Sequence, residues 1–377
     1  MPPESHYITI YRRFRPETFD RVLGQPHVVK ALQNQIETGN VGHAYLFCGT
    51  RGTGKTTMAR LLAKGVNCLA DDGRPCGECK NCEDIKNGVF MDVIEIDAAS
   101  NNSVDNVREL RGSVAYPPSV GRKKVFIIDE VHMFSKSAFN ALLKTLEEPP
   151  DHVIFILATT EPGKLPATIL SRCLRFDFKR VFASELIEGM RRITDELGIK
   201  ASVDALAFIA AKADGSVRDG LSILEQCLTA DPGGISIELV HDVLGSPDEE
   251  LLGELTDYVS AGETTEALLL IDRILRAGKE ERMIMEDWIE YFHSLLITKH
   301  VDKPERILGR SKENIEKLKA RSKGMETLYI NDSIYRLSKL LNDSRWSPHG
   351  RILLEMTVIE MSEGKGEGDG WPGAVKR

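Results

Sequence analysis

Residues Gly49 to Thr56, "GTRGTGKT", complete the pattern G-x-x-x-x-G-K-[ST]. Glycines in this pattern let backbone N–H groups wrap a polyphosphate, the lysine reaches the β- and γ-phosphates, and the final hydroxyl ligates Mg²⁺. Gly49, Thr50, Arg51, Gly52, Thr53, Gly54, Lys55, Thr56 and Thr57 thus form a candidate cradle for ATP, with Lys55 on the phosphates and Thr56 on the metal. A second element, "VFIIDE", closes an apolar run with Asp129 and Glu130. Alone, two such carboxylates would be a solvated strand end. Beside a phosphate loop they take separate roles: Asp129 holds Mg²⁺, directly or through water, and Glu130 polarises the attacking water. His132 has no second histidine at helical spacing, which excludes a zinc-protease pattern.

Four cysteines follow the phosphate loop closely. Cys68, Cys76, Cys79 and Cys82, spaced Cys-x₇-Cys-x₂-Cys-x₂-Cys, supply the thiolates of one closed tetrahedral Zn²⁺ site. A nucleotide-binding protein has no evident electron-transfer task, which favours zinc over an iron–sulfur cluster, although the ligands alone leave iron open. A closed site has no position for water and so carries no chemistry. Its task is to fold an insert, residues 67–85, that has almost nothing apolar to bury, on the outside of the nucleotide domain. Asp71, Asp72, Glu78, Glu83 and Asp84 outnumber Arg74, Lys80 and Lys86 there, which argues against a DNA-binding finger. Cys48, Cys173 and Cys227 are scattered, so the seven cysteines read as a metal site plus loose thiols of a reducing compartment.

Such groups need a scaffold that brings loop ends together. Five short apolar runs, 44–49, 92–97, 124–130, 153–160 and 173–178, read as buried parallel strands. Met58, Leu61, Leu62 and Val66 recur at helical spacing between them, as do Phe139, Leu142, Leu143 and Leu146 in a helix capped by Ser137 and stopped by Pro149-Pro150. The alternation predicts an α/β fold, a five-stranded parallel sheet with helices on both faces. After about residue 180 strand-like runs vanish and amphipathic helices take over, with breaks at "DPGG" (231–234) and "GSPDEE" (245–250). Trp288, Ile289, Phe292, Leu295, Leu296 and Ile297 give the third segment more apolar surface than a lone bundle needs. The last residues, 363–377, read as a flexible polar tail.

Bulk properties fit two or three soluble domains: 377 residues, 42% hydrophobic and 28% charged. A net charge of −8 argues against a broad nucleic-acid surface. No signal peptide and no run of about 20 apolar residues is seen, so a cytoplasmic protein without membrane contact is expected.

Together, "GTRGTGKTT", "IIDEVHMFSKSAFNALLKTLEEPP", "LATTEPGKLPATILSRC" and "GSVRDGLSILEQ" resemble the gamma/tau subunit of bacterial DNA polymerase III, the AAA+ ATPase of the sliding-clamp loader. The resemblance is dense over residues 7–245 and rests on helical character alone over 246–360. The cysteine insert is typical of that family and strengthens it. The resemblance implies a P-loop AAA+ domain (1–180), an all-α lid (181–245) and an all-α oligomerisation collar (246–362).

It also implies residue roles. Thr159 matches the first sensor, which hydrogen-bonds the γ-phosphate or the water. Arg218, in "GSVRD", matches the second sensor of the lid, and Arg172, in "SRC", the arginine finger that enters a neighbouring subunit's ATP site. Tyr11 matches the contact to the adenine base, with a place in a small core cluster as the alternative. On the resemblance Arg108 and Lys144 are candidate DNA contacts, with solvated surface as the alternative for both, and Asn101, Asn102 and Ser103 stand where family members tend to carry basic residues. The implied partners are other gamma/tau copies, the delta and delta-prime subunits, the beta sliding clamp and primer–template DNA, in a nucleoid-associated replisome. A tau form would continue into polymerase- and helicase-binding regions. The short polar tail predicts no such reach. The competing readings are another AAA+ DNA-remodelling ATPase, such as a branch-migration motor, and a non-hydrolysing scaffold that binds ATP. The intact Lys55, Asp129 and Glu130 speak against the scaffold.

Overall fold

The structure is a computed structural model that describes residues 9–102, 104–245, 249–308, 312–344, 347 and 349–363. Ser103, much of the break at 245–250 and the tail from residue 364 lie outside the described residues. The chain forms two compact units, one of residues 1–193 with 210–225, the other of 194–209 with 226–377.

In the first unit, β1 (Ala44–Cys48), β2 (Val93–Asp97), β3 (Lys124–Asp129), β4 (Val153–Thr159) and β5 (Leu174–Asp177) form the expected parallel sheet, in the order β2-β3-β4-β1-β5. Alternation along each strand divides the core in two. Leu46, Phe126, Ile128, Phe155 and Leu157 face Leu110, Phe139 and Leu142 of the helices Val104–Val114 and Lys136–Glu147. Tyr45, Phe47, Ile127 and Ile156 face Leu32, Met58 and Leu62 of the helices Pro26–Thr38 and Lys55–Asn67. Both faces of the central strands β1, β3 and β4 are therefore covered, which is why those strands lack polar alternation. β2 and β5, expected to be buried, lie at the sheet edges and are half-buried or exposed, with Glu95 and Arg175 among their apolar residues. Each such side chain contributes roughly 1.5–3 kcal/mol of burial.

The strand order matters for function. β3, β4 and β1 are neighbours and run in one direction, so the loops at their carboxyl ends share one rim, where open α/β sheets hold ligands. The Gly49 N–H donates to the Thr159 carbonyl at 3.2 Å, tying the end of β1 to the end of β4.

Three local expectations change. The helix Lys136–Glu147 is capped by Ser135, not Ser137: the Ser135 hydroxyl accepts from the Ala138 N–H at 3.2 Å, and Ser137 lies within the first turn. Strands do not vanish after residue 180, because β6 (Lys200–Ala201) pairs with β7 (Gly234–Ile235) in the second unit; runs of two residues are too short to leave a periodic signal. The apolar residues of the helix Glu281–His300 are not surplus either. Trp288, Phe292 and Leu295 are fully buried in the core of the second unit, and the Trp288 indole N–H donates to the Thr256 hydroxyl at 2.8 Å. The helices Glu249–Ala261, Thr264–Arg276, Thr327–Ser344 and Gly350–Ser362 contribute to the same core. Ile289, Leu296 and Ile297 are half-buried. Among the described residues, no helix is long and apolar enough to cross a membrane.

Candidate nucleotide site

The loop after β1 turns sharply before the helix Lys55–Asn67 begins. Gly49, Gly52 and Gly54 have φ of 153°, 77° and 100°. At Gly52 the need for glycine is also steric, because a Cβ would collide with the Ser216 hydroxyl. The Val217 N–H donates to the Gly52 carbonyl at 3.0 Å, so the start of the helix Val217–Ala230 is bonded to the phosphate loop. That helix start brings Arg218 beside Tyr11, its guanidinium carbon 5.1 Å from the ring centroid. Tyr11 and Arg218, distant in sequence, therefore stand together, with Arg218 next to Gly52.

Lys55 is 6% exposed, and its ammonium donates to the carbonyls of Gly49 at 2.8 Å and Thr50 at 2.9 Å. Burial pushes it below the ordinary lysine range, while Glu130 and Asp129 pull it back up. The Thr56 hydroxyl donates to Asp129 Oδ2 at 2.6 Å. One hydroxyl and one carboxylate oxygen in contact, from the loop after β1 and the end of β3, are the hard oxygen donors that Mg²⁺ takes.

Glu130 begins the turn after β3 in the left-handed region, φ 46° and ψ 43°, an uncommon conformation for a residue with a Cβ. Its Oε2 accepts from the Thr160 hydroxyl at 3.0 Å and the Thr160 N–H at 3.3 Å. His132 fills the space behind, its side chain only 7% exposed. Its Nδ1 lies 3.0 Å from the Thr159 hydroxyl and 3.4 Å from Glu130 Oε2, and its Nε2 lies 3.4 Å from Glu161 Oε1. Sequence reasoning used His132 only to exclude a zinc protease and missed this cluster, together with Thr160 and Glu161. The signal available was the position of "DEVH" and "ATTEP" after consecutive buried runs, which neighbouring parallel strands would bring to one rim.

Arg172 does not join this group through its own contacts. It follows the helix Ala167–Leu170, donates to the Thr168 carbonyl at 2.9 Å and pairs with Glu147 at 2.8 Å.

Three family models match in succession: DNA polymerase III, delta subunit, over residues 24–182; DNA polymerase III clamp loader subunit, ATPase lid domain, over 186–231; and DNA polymerase III subunits gamma and tau domain III, over 235–365. The DNA polymerase III subunit gamma of Buchnera aphidicola subsp. Schizaphis graminum is 36% identical over 357 residues, 94% of this chain and 98% of that protein. The chain belongs to the gamma/tau family of DNA polymerase III subunits. The subunit tau of Bacillus subtilis is 42% identical over 358 residues, 95% of this chain, and that of Escherichia coli is 40% identical over 356 residues, 94% of this chain. The chain spans 63% and 55% of the length of those two tau relatives. Among solved structures, the Thermotoga maritima RuvB Holliday junction branch migration motor aligns with a TM-score of 0.48 at 21% identity, covering 65% of this chain and 79% of that one. A likeness of that size decides nothing about activity, and the gamma/tau relatives do not favour a branch-migration motor. The fold is a P-loop AAA+ domain with a five-stranded parallel sheet, followed by an ATPase lid and a mostly helical C-terminal region.

The cysteine insert of this gamma/tau chain gathers as its spacing suggests. The sulfurs of Cys68, Cys76, Cys79 and Cys82 all lie within 4.8 Å of one another, with Cys68 3.5 Å from Cys76 and 3.9 Å from Cys79. Metal–sulfur bonds of about 2.3 Å in a tetrahedron require sulfurs roughly 3.8 Å apart, so the four thiols fit one thiophilic ion. The insert is less external than expected: Cys68 and Cys82 are fully buried, and the helix Lys80–Asn87 buries Ile85 as well. The Asn81 amide donates to the Asn67 carbonyl at 2.8 Å, and Lys86 pairs with Glu17. The remaining thiols do not resemble reactive ones. Burial raises those of Cys173 and Cys227 to about 12 and about 11.

Arg108 and Lys144 are both exposed, on the helices Val104–Val114 and Lys136–Glu147, which share one core beneath the sheet.

Proposed function

We propose that this chain is the ATP-hydrolysing motor of a clamp loader, which opens a ring-shaped sliding clamp and closes it on primed DNA. The observation that carries the reading is the Thr56–Asp129 hydrogen bond, which joins a complete phosphate loop to a paired-carboxylate strand end in a gamma/tau chain. A binding-only scaffold would use the Thr56–Asp129 pair to hold Mg²⁺ but would have no use for the Glu130 carboxylate beside it.

In this reading the glycine loop and the positive end of the helix Lys55–Asn67 bind the triphosphate. The Lys55 ammonium leaves the Gly49 and Thr50 carbonyls for the β- and γ-phosphates. Thr56 and Asp129 hold Mg²⁺, which when bound neutralises charge on the phosphate oxygens. Tyr11 packs on the base, and Arg218 reaches the phosphates from the lid of the same subunit. Glu130 leaves Thr160 to orient the attacking water, Thr159 holds the γ-phosphate or that water, and Arg172 serves the neighbouring subunit. Arg108 and Lys144 touch DNA phosphates. We assign residues 1–180 to the AAA+ domain, 181–245 to the lid and 246–362 to the collar that assembles gamma/tau copies with delta and delta-prime, in the bacterial cytoplasm.

The test is to mix the chain with delta, delta-prime, clamp and primed DNA and follow phosphate release. Turnover should rise on adding clamp and DNA together. Turnover indifferent to both would count decisively against clamp loading.

For the cysteine site the metal we propose is Zn²⁺, held by four thiolates in a structural role. Purified chain should contain about one zinc per molecule by elemental analysis. Cys82→Ser, which removes a buried ligand, should lose the metal and expose the insert to proteolysis before the rest of the first unit. Iron in place of zinc, or an unchanged proteolysis pattern without metal, would reject this assignment.

A further inference from the structure

The Thr159 hydroxyl has one hydrogen to give and two lone pairs to fill. The Glu161 N–H donates to it at 3.0 Å, occupying one lone pair. His132 Nδ1, also at 3.0 Å, either fills the second or takes the hydrogen. Its surroundings decide between the two. Nδ1 also faces Glu130 Oε2 at 3.4 Å, and an ionised carboxylate only accepts. A bare nitrogen there would set lone pair against carboxylate, so the hydrogen belongs on Nδ1.

We infer that His132 is a positioning residue: by donating from Nδ1 it completes the acceptor capacity of Thr159 and leaves the Thr159 hydrogen free for the γ-phosphate. The inference rests on the proposed ATPase reading and concerns a residue to which the sequence motifs gave no part in the reaction. Thr159 is fully buried, so the partners of its hydroxyl here are the protein groups around it. The direction of its hydrogen is therefore set by the protein, as outer residues orient ligands at metal sites. Nε2 faces an acceptor in the same way, Glu161 Oε1 at 3.4 Å, so both ring nitrogens are placed to donate, Nδ1 among them.

The experiment compares His132→Asn, His132→Asp and His132→Ala in the complex with delta, delta-prime, clamp and primed DNA. The Asn amide nitrogen can occupy the place of Nδ1 and donate. Asp has nearly the same shape but can only accept. His132→Ala should lower kcat roughly 10–100-fold, the usual loss for an orienting residue, with ATP affinity measured by equilibrium binding unchanged. Asn should restore most of the rate and Asp should not. In a Thr159→Val background, His132→Ala should cost nothing further, because the group it acts through is gone.

Equal rates for Asn and Asp, or losses that multiply in the double variant, would overturn the inference while leaving the motor reading intact. No turnover by the unaltered complex would reject both.

Discussion

Replacing Arg172 with alanine should abolish most ATP turnover in the assembled complex while leaving each subunit's nucleotide binding intact. A guanidinium that stabilises transition-state charge contributes about 10³–10⁵ in rate in related NTPases, so a loss of that order is expected. Within its own chain Arg172 pairs with Glu147 and is 34% exposed, a rim position suited to reaching another molecule. The pair is a modest tether, since exposed ion pairs contribute about 1 kcal/mol or less. Mixing decides the matter. A complex in which the Arg172→Ala subunit is the one that faces the site of a Lys55→Ala subunit has one defective site if the arginine acts on its neighbour's nucleotide, because both lesions fall there, and two if it acts on its own. Arg172→Ala complexes of normal composition that turn over at the unaltered rate would remove the interface mechanism.

Glu130→Gln should lower turnover by about 10²–10⁴, the range for a general base, with ATP still bound. The substitution keeps the shape and the acceptor oxygen that Thr160 engages and removes only the charge that polarises water. The strained backbone at Glu130, φ 46°, argues that the position is fixed for a purpose other than packing. A binding assay with labelled ATP beside a phosphate-release assay separates the two effects. If both fall together, Glu130 has a binding role and the base must be sought elsewhere. Full activity in Glu130→Gln would exclude it from the chemistry.

The central strands β1, β3 and β4 were legible because they are buried on both faces and so appear as unbroken apolar runs. The edge strands β2 and β5 are half-buried or exposed and interrupt their apolar residues with Glu95 and Arg175. The phosphate loop was legible because its glycines, lysine and threonine are adjacent in the chain. The cysteine cluster was legible for the same reason. What escaped depends on residues brought together from afar. Thr159, Arg218 and Tyr11 entered through resemblance alone, and the packing of Ser216 and Val217 on Gly52 has no local signature at all. His132 was weighed as a ligand and set aside, since its partners belong to the loop after a different strand. The apolar stripe around Trp288 misled in another way. Hydrophobic periodicity reports that a face is covered, not whether the cover comes from the same unit or another molecule.

The helix Lys55–Asn67 has the phosphate loop at one end and Cys68 at the other. Thirteen residues make a rod about 20 Å long. With its far end knotted to the insert, such a rod cannot swivel freely, so tightening around a triphosphate must be absorbed by the glycine loop that precedes it. With the proposed Zn²⁺ bound, the four-cysteine cluster would serve as an anchor bolt for the nucleotide grip, holding its backstop still while the glycine loop in front flexes.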